Sequence, residues 1–233
     1  MKFAQPLLPG RLIQRYKRFL ADIELEDGAL ITAHCPNPGS MMGLKTPGSR
    51  CWVSLSDNPK RKLKHTLEVL EADGTLVAMN TMSPNRIAEA AVRSGEIAEL
   101  AGYGAIRREV KYGVNSRIDL LLSGEGRPDC YVEVKNCHLM RTPGLAEFPD
   151  SVTARGAKHL FELSQRVGAG DRAVNLFIVQ RGDCDRLSPA ADLDPGYAEA
   201  LRAAASSGVE ILAYGCAVSL DGVALTEPME IVL

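Results

Sequence analysis

SRIDLLLSGEGRPDCYVEVKNC, residues 116–137, reads as two apolar strands folded about a glycine-rich turn, with Asp119, Glu133 and Lys135 set inside them. Side chains alternate faces along a strand, so Glu133 and Lys135 share a face with Tyr131, while Val132 and Val134 point the other way into a core. Ile118, Leu120 and Leu122 likewise share a face, with Asp119 opposite them. The turn centres on Gly126, and Asp119 and Glu133 each lie seven residues from it. A symmetric hairpin makes the two acids cross-strand neighbours, about 5 Å apart at Cβ. Two carboxylates that close repel unless something positive stands between them. A Mg2+ (or Mn2+) ion answers that need, because Mg2+ binds through one or two carboxylates and keeps water and phosphate oxygens at its other positions. Lys135 then lies where it can orient a water or stabilise charge developing on phosphorus. The same three residues also suit a salt-bridge ladder on a solvated sheet face, and the spacing alone does not separate the two.

Working outward, the N-terminal eighty residues read as short strands. RYKRFLADIEL (15–25) is predicted to run as one strand into Asp27-Gly28 and ALITAHC (29–35). RCWVSLS (50–56) follows, and KHTLEVLEA (64–72) turns at Asp73-Gly74 into TLVAMN (75–80). Asp-Gly between apolar runs is a strong hairpin signal. Strands with no helix among them predict a small OB-like β-barrel over residues 1–82. The period then changes. SPNRIAEAAVRSGEIAEL is helical, with Ser83 expected at the N-cap and Pro84 at the first helical position. Strands are expected at 105–112, 116–123 and 130–137. A helix at 153–167, strand AVNLFIVQ, helix PGYAEALRAAASS and strand VEILAYGCAV complete a mixed α/β domain over 83–233.

Composition narrows the class. The chain has 233 residues, of which 24% are charged, near the average for a globular protein. Residues 1–83 hold 11 Lys and Arg against 8 Asp and Glu, and the remainder 16 against 21, so polyanion binding must come from local patches. One such patch is NPKRKLKH, with Lys60, Arg61, Lys62 and Lys64. Arg155 and Lys158 in TARGAKHL share a helix face, and Gln180 and Arg181 close the strand LFIVQR. Tyr16 and Trp52 are candidates for stacking on bases, although Trp52 fits the barrel core better. No run approaches the roughly 20 apolar residues of a membrane helix, and MKFAQPLLPGRLIQRYKRFL lacks the pattern of a signal peptide. The six cysteines form no Cys-x-x-Cys pair and read as free thiols of a cytoplasmic protein, and His34-Cys35 and Cys137-His138 fit no zinc spacing. No Gly-x-Ser-x-Gly elbow or phosphate-cradling Gly-x-x-x-x-Gly-Lys-Ser/Thr occurs.

An Asp, a variable gap, then Glu-x-Lys on strands flanked by helices resembles the core of the PD-(D/E)XK nucleases. Seven further stretches, TAHCPNPGSMMGL, LSDNPKRKL, NTMSPNRIAEAAV, SRIDLLL, CYVEVKNCHL, FPDSVTARGAKHLFEL and VNLFIVQR, resemble the sugar fermentation stimulation protein A (SfsA) family over nearly the whole chain. That resemblance implies an N-terminal OB-like domain, a C-terminal PD-(D/E)XK restriction-endonuclease-like domain, non-specific DNA binding and a link to sugar (maltose) metabolism. The superfamily pattern matches Asp119 and Glu133 to metal-binding acids, Lys135 to the catalytic lysine and the Val134 carbonyl to a further ligand. Glu89 matches the glutamate that many members carry on the first helix, with Glu109 a weaker substitute and an ordinary surface role for Glu89 equally open. The proline of the motif name is absent, Ile118 standing before Asp119. Two readings remain open: a metal-dependent nuclease on DNA or RNA, with a homodimer as one arrangement, and a DNA-binding regulator that keeps the fold without cutting. A structural protein with a charged sheet face explains the barrel loop less well.

Overall fold

The structure, a computed structural model, describes all 233 residues. The N-terminal part comprises β1 (Leu8–Tyr16), β2 (Leu20–Leu25), β3 (Leu30–His34), β4 (Arg50–Leu55), β5 (His65–Ala72) and β6 (Thr75–Ala78). β1 pairs antiparallel with β2 and β4, β2 with β3, and β4 with β5, and a parallel contact of His34 with Thr66 closes β3 onto β5. This is a five-stranded closed OB barrel with β6 added beside β5. Alternating inward residues, among them Leu12, Ala21, Ile23, Val53, Leu67 and Leu70, fill its core.

Both Asp-Gly hairpins form, with Gly28 at φ 82° and the pair Asp73 and Gly74 at 53° and 78°. RYKRFLADIEL is not one strand. It folds back at Lys17 and Arg18, whose φ values of 46° and 64° make a primed turn that normally selects Asn and Gly. Lysine and arginine in those positions carry no turn signal, so the hairpin is silent in the sequence.

The C-terminal part begins with α1 (Ser83–Ser94) and a 3-10 turn at Ala98–Leu100. β7 (Ala105–Tyr112), β8 (Ser116–Ser123), β9 (Cys130–Cys137), β10 (Leu139–Thr142) and β11 (Gly144–Phe148) follow. Then come α2 (Ala154–Gly168), β12 (Arg172–Val179), β13 (Cys184–Pro189), α3 (Pro195–Ser206), β14 (Glu210–Val218), β15 (Val223–Pro228) and β16 (Glu230–Ile231). The central sheet has the order β15-β14-β12-β9-β8-β7, with β9, β12 and β14 parallel and the outer strands antiparallel. α1 packs Ile87, Ala88, Ala91 and Val92 on one face. α2 and α3 cover the other face with Leu160, Leu163, Tyr197 and Leu201. A second sheet, β10-β11-β13-β16, goes beyond the sequence expectation because its strands are short and partly polar.

Two local expectations fail. Ser83 does not cap α1: Met82 is the N-cap, its N–H held by Asn80 Oδ1, and Ser83 is buried inside the first turn. Ile118 does not share a core with Leu120 and Leu122. It joins the α2 side, because the pleat is interrupted at Asp119, where the facing β7 carries Glu109 at φ 52°.

The two parts meet at the end of β12. Gln180 O accepts the Ala78 N–H of β6 (3.0 Å), and Arg181, 1% exposed, donates to Asp73 of the barrel (3.0 Å), to Asp183 and to the His138 carbonyl (3.1 Å). A buried guanidinium that loses its partners, or carboxylates that lose it, costs several kcal/mol, whereas a half-exposed partner is worth little. Arg181→Met is therefore expected to lower unfolding free energy by about 3 kcal/mol and Asp73→Ala by under about 1 kcal/mol, both read from urea denaturation.

Candidate active site

β8 and β9 are paired through Leu122–Cys130, Leu121–Tyr131 and Leu120–Val132. Beyond that row they separate. The Asp119 carboxylate enters the gap and accepts the Val134 N–H on Oδ2 (2.8 Å), in place of a ladder carbonyl, while its Oδ1 accepts Asn85 Nδ2 of α1 (2.7 Å). The N–H and C=O of a strand residue point to the same side, so the Val134 carbonyl faces the same opening. The paired register ends at Leu120–Val132, one row before Asp119 and Glu133.

Glu133 lies under α2 and is 4% exposed, so the face is covered rather than solvated. Its Oε1 accepts Lys135 Nζ (2.7 Å) and the Nδ1 of His159, and its Oε2 is buried without any partner. Burial pushes the Glu133 carboxyl up, but Lys135 and His159 outweigh it and hold the group below its usual range. Asp119 goes the other way: burial, and then the charge of Glu133, raise it to about 6. Two acids whose carboxyls are shifted in opposite directions, one of them with a buried oxygen that has no partner, are the kind of pair that clusters at functional sites.

A cleft of about 340 Å³ lies between the two parts of the chain, and Val134 and Lys135 are the site residues that reach it. Val134, Lys135 and Asn136 line one wall, Arg18, Asn37, Gly39 and Thr81 the barrel side, and Asp150 to Thr153 the floor before α2.

Other sequence candidates fall in different places. Glu89 is held by Arg93 (2.8 Å) and Arg108 (3.5 Å), and Asn85, one turn earlier on the same helix face, is the α1 side chain that reaches Asp119. Glu109 sits exposed at its bend. Arg155 is exposed at the start of α2 with Nε on His159 Nε2 (3.3 Å), whereas Lys158 bonds the Val114 carbonyl of the β7–β8 turn (2.6 Å). Lys60 and Lys62 are exposed and have no acidic partner, Arg61 donates to Thr66, and Lys64 to the Asn58 carbonyl. Gln180 is 0% exposed, with Nε2 on Asn136 (2.7 Å) and on the Asn80 carbonyl, so it joins the two parts instead of offering itself to a nucleic acid. The reason is that β6 covers the end of β12. Trp52 is buried in the barrel wall, and Tyr16 donates to Asp22. No set of three His, Cys, Asp or Glu side chains is arranged to hold a metal, which includes the His34-Cys35 and Cys137-His138 pairs, and all six cysteines are free. Sequence reasoning missed Asn85 and His159. His159, one helical turn beyond Arg155, had only its spacing to mark it.

A closed OB barrel fused to an α/β domain of restriction-endonuclease (RE) type, with acid and acid-x-lysine at a strand fork, is the class this fold and site define. The model of the SfsA N-terminal OB domain matches residues 13–79, and that of the sugar fermentation stimulation protein RE domain matches residues 82–222. Sugar fermentation stimulation protein homologs from Maricaulis maris (60% identity, 100% of this chain and 99% of that protein) and Brucella ovis (59%, 97% and 95%) align with it. The chain belongs to the sugar fermentation stimulation protein (SfsA) family. The solved structure of Pyrococcus furiosus SfsA in complex with Ca2+ superposes with a TM-score of 0.91 at 26% identity, covering 100% of this chain and 98% of that one.

The raised Asp119 carboxyl gives a stability signature. A carboxyl whose folded value lies above its usual 3.8 costs stability once ionised. The cost is absent below about pH 4 and complete above about pH 6. In chelator-treated protein, Asp119→Asn is therefore expected to gain on the parent by roughly 2–3 kcal/mol between pH 4 and pH 7, measured by urea denaturation at each pH.

Proposed function

We propose that this chain is a divalent-metal-dependent nuclease that binds DNA along the cleft between its barrel and its α/β domain and hydrolyses phosphodiester bonds there. The observation that carries this reading is the strand fork. Asp119 lies where β8 leaves β9 and bonds the Val134 N–H, Lys135 is paired with Glu133, whose other oxygen is buried without a partner, and Val134 and Lys135 line the open cleft. The donor set suits Mg2+ or Mn2+: two carboxylates, the Val134 carbonyl, and positions left over for water and phosphate. The Ca2+ of the Pyrococcus furiosus relative supports a divalent cation in this fold. When bound, such an ion supplies Lewis-acid polarisation of the phosphoryl group and a more acidic water.

The protein's own residues do the positioning. Asn85 and the Val134 N–H fix the Asp119 carboxylate from two sides, so its orientation is set in advance. Lys135 spends one donor on Glu133 and keeps two for an attacking water or a phosphoryl oxygen as charge develops there. Arg155 at the start of α2 and Lys60 and Lys62 of the barrel loop are the basic side chains available to the DNA backbone.

A second reading is a DNA-binding regulator of sugar metabolism that keeps the fold without cutting. The Lys135–Glu133 ion pair favours it, since it engages the lysine with its neighbour. Labelled single- and double-stranded DNA with Mg2+ or Mn2+ separates the two. The nuclease reading expects cleavage by the parent, a rate about 10²–10³-fold lower for Lys135→Ala with DNA affinity unchanged, and no cation-dependent cutting by Asp119→Ala. Equal binding by all three without cutting would establish the regulator. Lys60→Ala with Lys62→Ala is expected to weaken binding to all DNA sequences alike and to reduce the slope of log K against log salt by about 2, measured by fluorescence anisotropy.

A further inference from the structure

His159 is buried in α2, 4% exposed, above the strand that carries the acid-x-lysine pair. Its Nε2 accepts the Nε–H of Arg155 (3.3 Å). A neutral imidazole carries one proton, so a ring that accepts at Nε2 donates at Nδ1. That Nδ1 meets Glu133 Oε1, the same oxygen that takes Lys135 Nζ, and Nζ itself stands 3.5 Å from Nδ1. Two donors thus converge on one oxygen of Glu133. The other, Oε2, is left buried and free of any hydrogen bond. A buried carboxylate oxygen with no donor is costly unless something positive occupies its empty side. Arg155 is exposed and hydrogen-bonds only through Nε, so its outer nitrogens stay free.

We infer that His159 is a positioning residue for the cation site: the chain Arg155→His159→Glu133 pins Oε1 and so aims Oε2 at the point it shares with Asp119. This rests on the metal-dependent reading above and adds a residue to it. His159 touches neither cation nor DNA, and acts through Glu133 as the outer partner of a ligand. Loss of such partners typically lowers metal affinity 10–100-fold. Geometry also says which substitutes work. The amide nitrogen of asparagine falls near the position of Nδ1, whereas that of glutamine falls near Nε2. His159→Asn keeps the donor to Glu133, and His159→Gln and His159→Ala do not.

The test is a Mn2+ titration of the full chain by calorimetry, with the Mn2+-induced rise in Tm as a second measure, on the parent and the three variants. Expected are a 10–100-fold weaker Kd for His159→Ala and His159→Gln and a Kd within about threefold of the parent for His159→Asn. The Tm of each metal-free variant shows that it is folded. If the parent binds and all three variants bind as it does, His159 has no positioning role and the nuclease reading stands. If all three variants weaken equally, His159 acts by packing and the donor argument is overturned. If the parent itself takes up no Mn2+, the metal-dependent reading fails, and the inference fails with it.

Discussion

Three paired rows hold β8 to β9, and then the strands part at Asp119. A strand leaving its neighbour exposes backbone donors that must find partners or pay desolvation. Here the donor is the Val134 N–H, and its partner is a side chain rather than the next carbonyl. That substitution draws Asp119 into the fork and turns the Val134 carbonyl into the same opening. It also brings α1 into contact through Asn85. The site therefore exists because a ladder stops one row short, and each of its groups is fixed by backbone geometry before any ligand arrives.

Around that fork the charges are graded. Glu133 is deep, and its ionised form is held by Lys135 and His159. Asp119 is raised by burial and then by the charge of Glu133, and its two neutral donors offset only part of that. One acid is thus held in its ionised form while the other is raised, and the difference comes from the hydrogen bonds of Lys135 and His159, which only Glu133 receives. The covering helix α2 makes the face dry, which strengthens every interaction in it. A sheet face open to water would have screened the pair and lost this contrast.

Much of this was legible in the residues. The position of Gly126 suffices to set the rows from Leu122–Cys130 to Leu120–Val132, because a period of two leaves little freedom once the turn is known, but it does not record that the strands part at Asp119. The Asp-Gly turns announced themselves for the same local reason. Lys17-Arg18 did not, since its left-handed backbone is imposed by the closing barrel and not by side-chain preference. Glu89 and Asn85 lie on one helix face, so periodicity could not say which of them reaches the sheet. Gln180 and Arg181 looked like solvent-facing residues at a strand end. Only the docking of β6 and the Asp73 turn makes them interior, and nothing local in LFIVQR records the arrival of a second domain. The β10-β11-β13-β16 sheet was hidden by the brevity and polarity of its strands.

That docking bears on what the cleft can admit. Arg181 is sealed at the junction with its charge matched from both sides, and β6 is stitched to β12 by the Ala78–Gln180 hydrogen bond. Opening that joint would part the Arg181 guanidinium from Asp73 and break the Ala78–Gln180 hydrogen bond. The width of the gap between barrel and sheet is accordingly tied to these bonds, as the jaws of a calliper are tied to its screw.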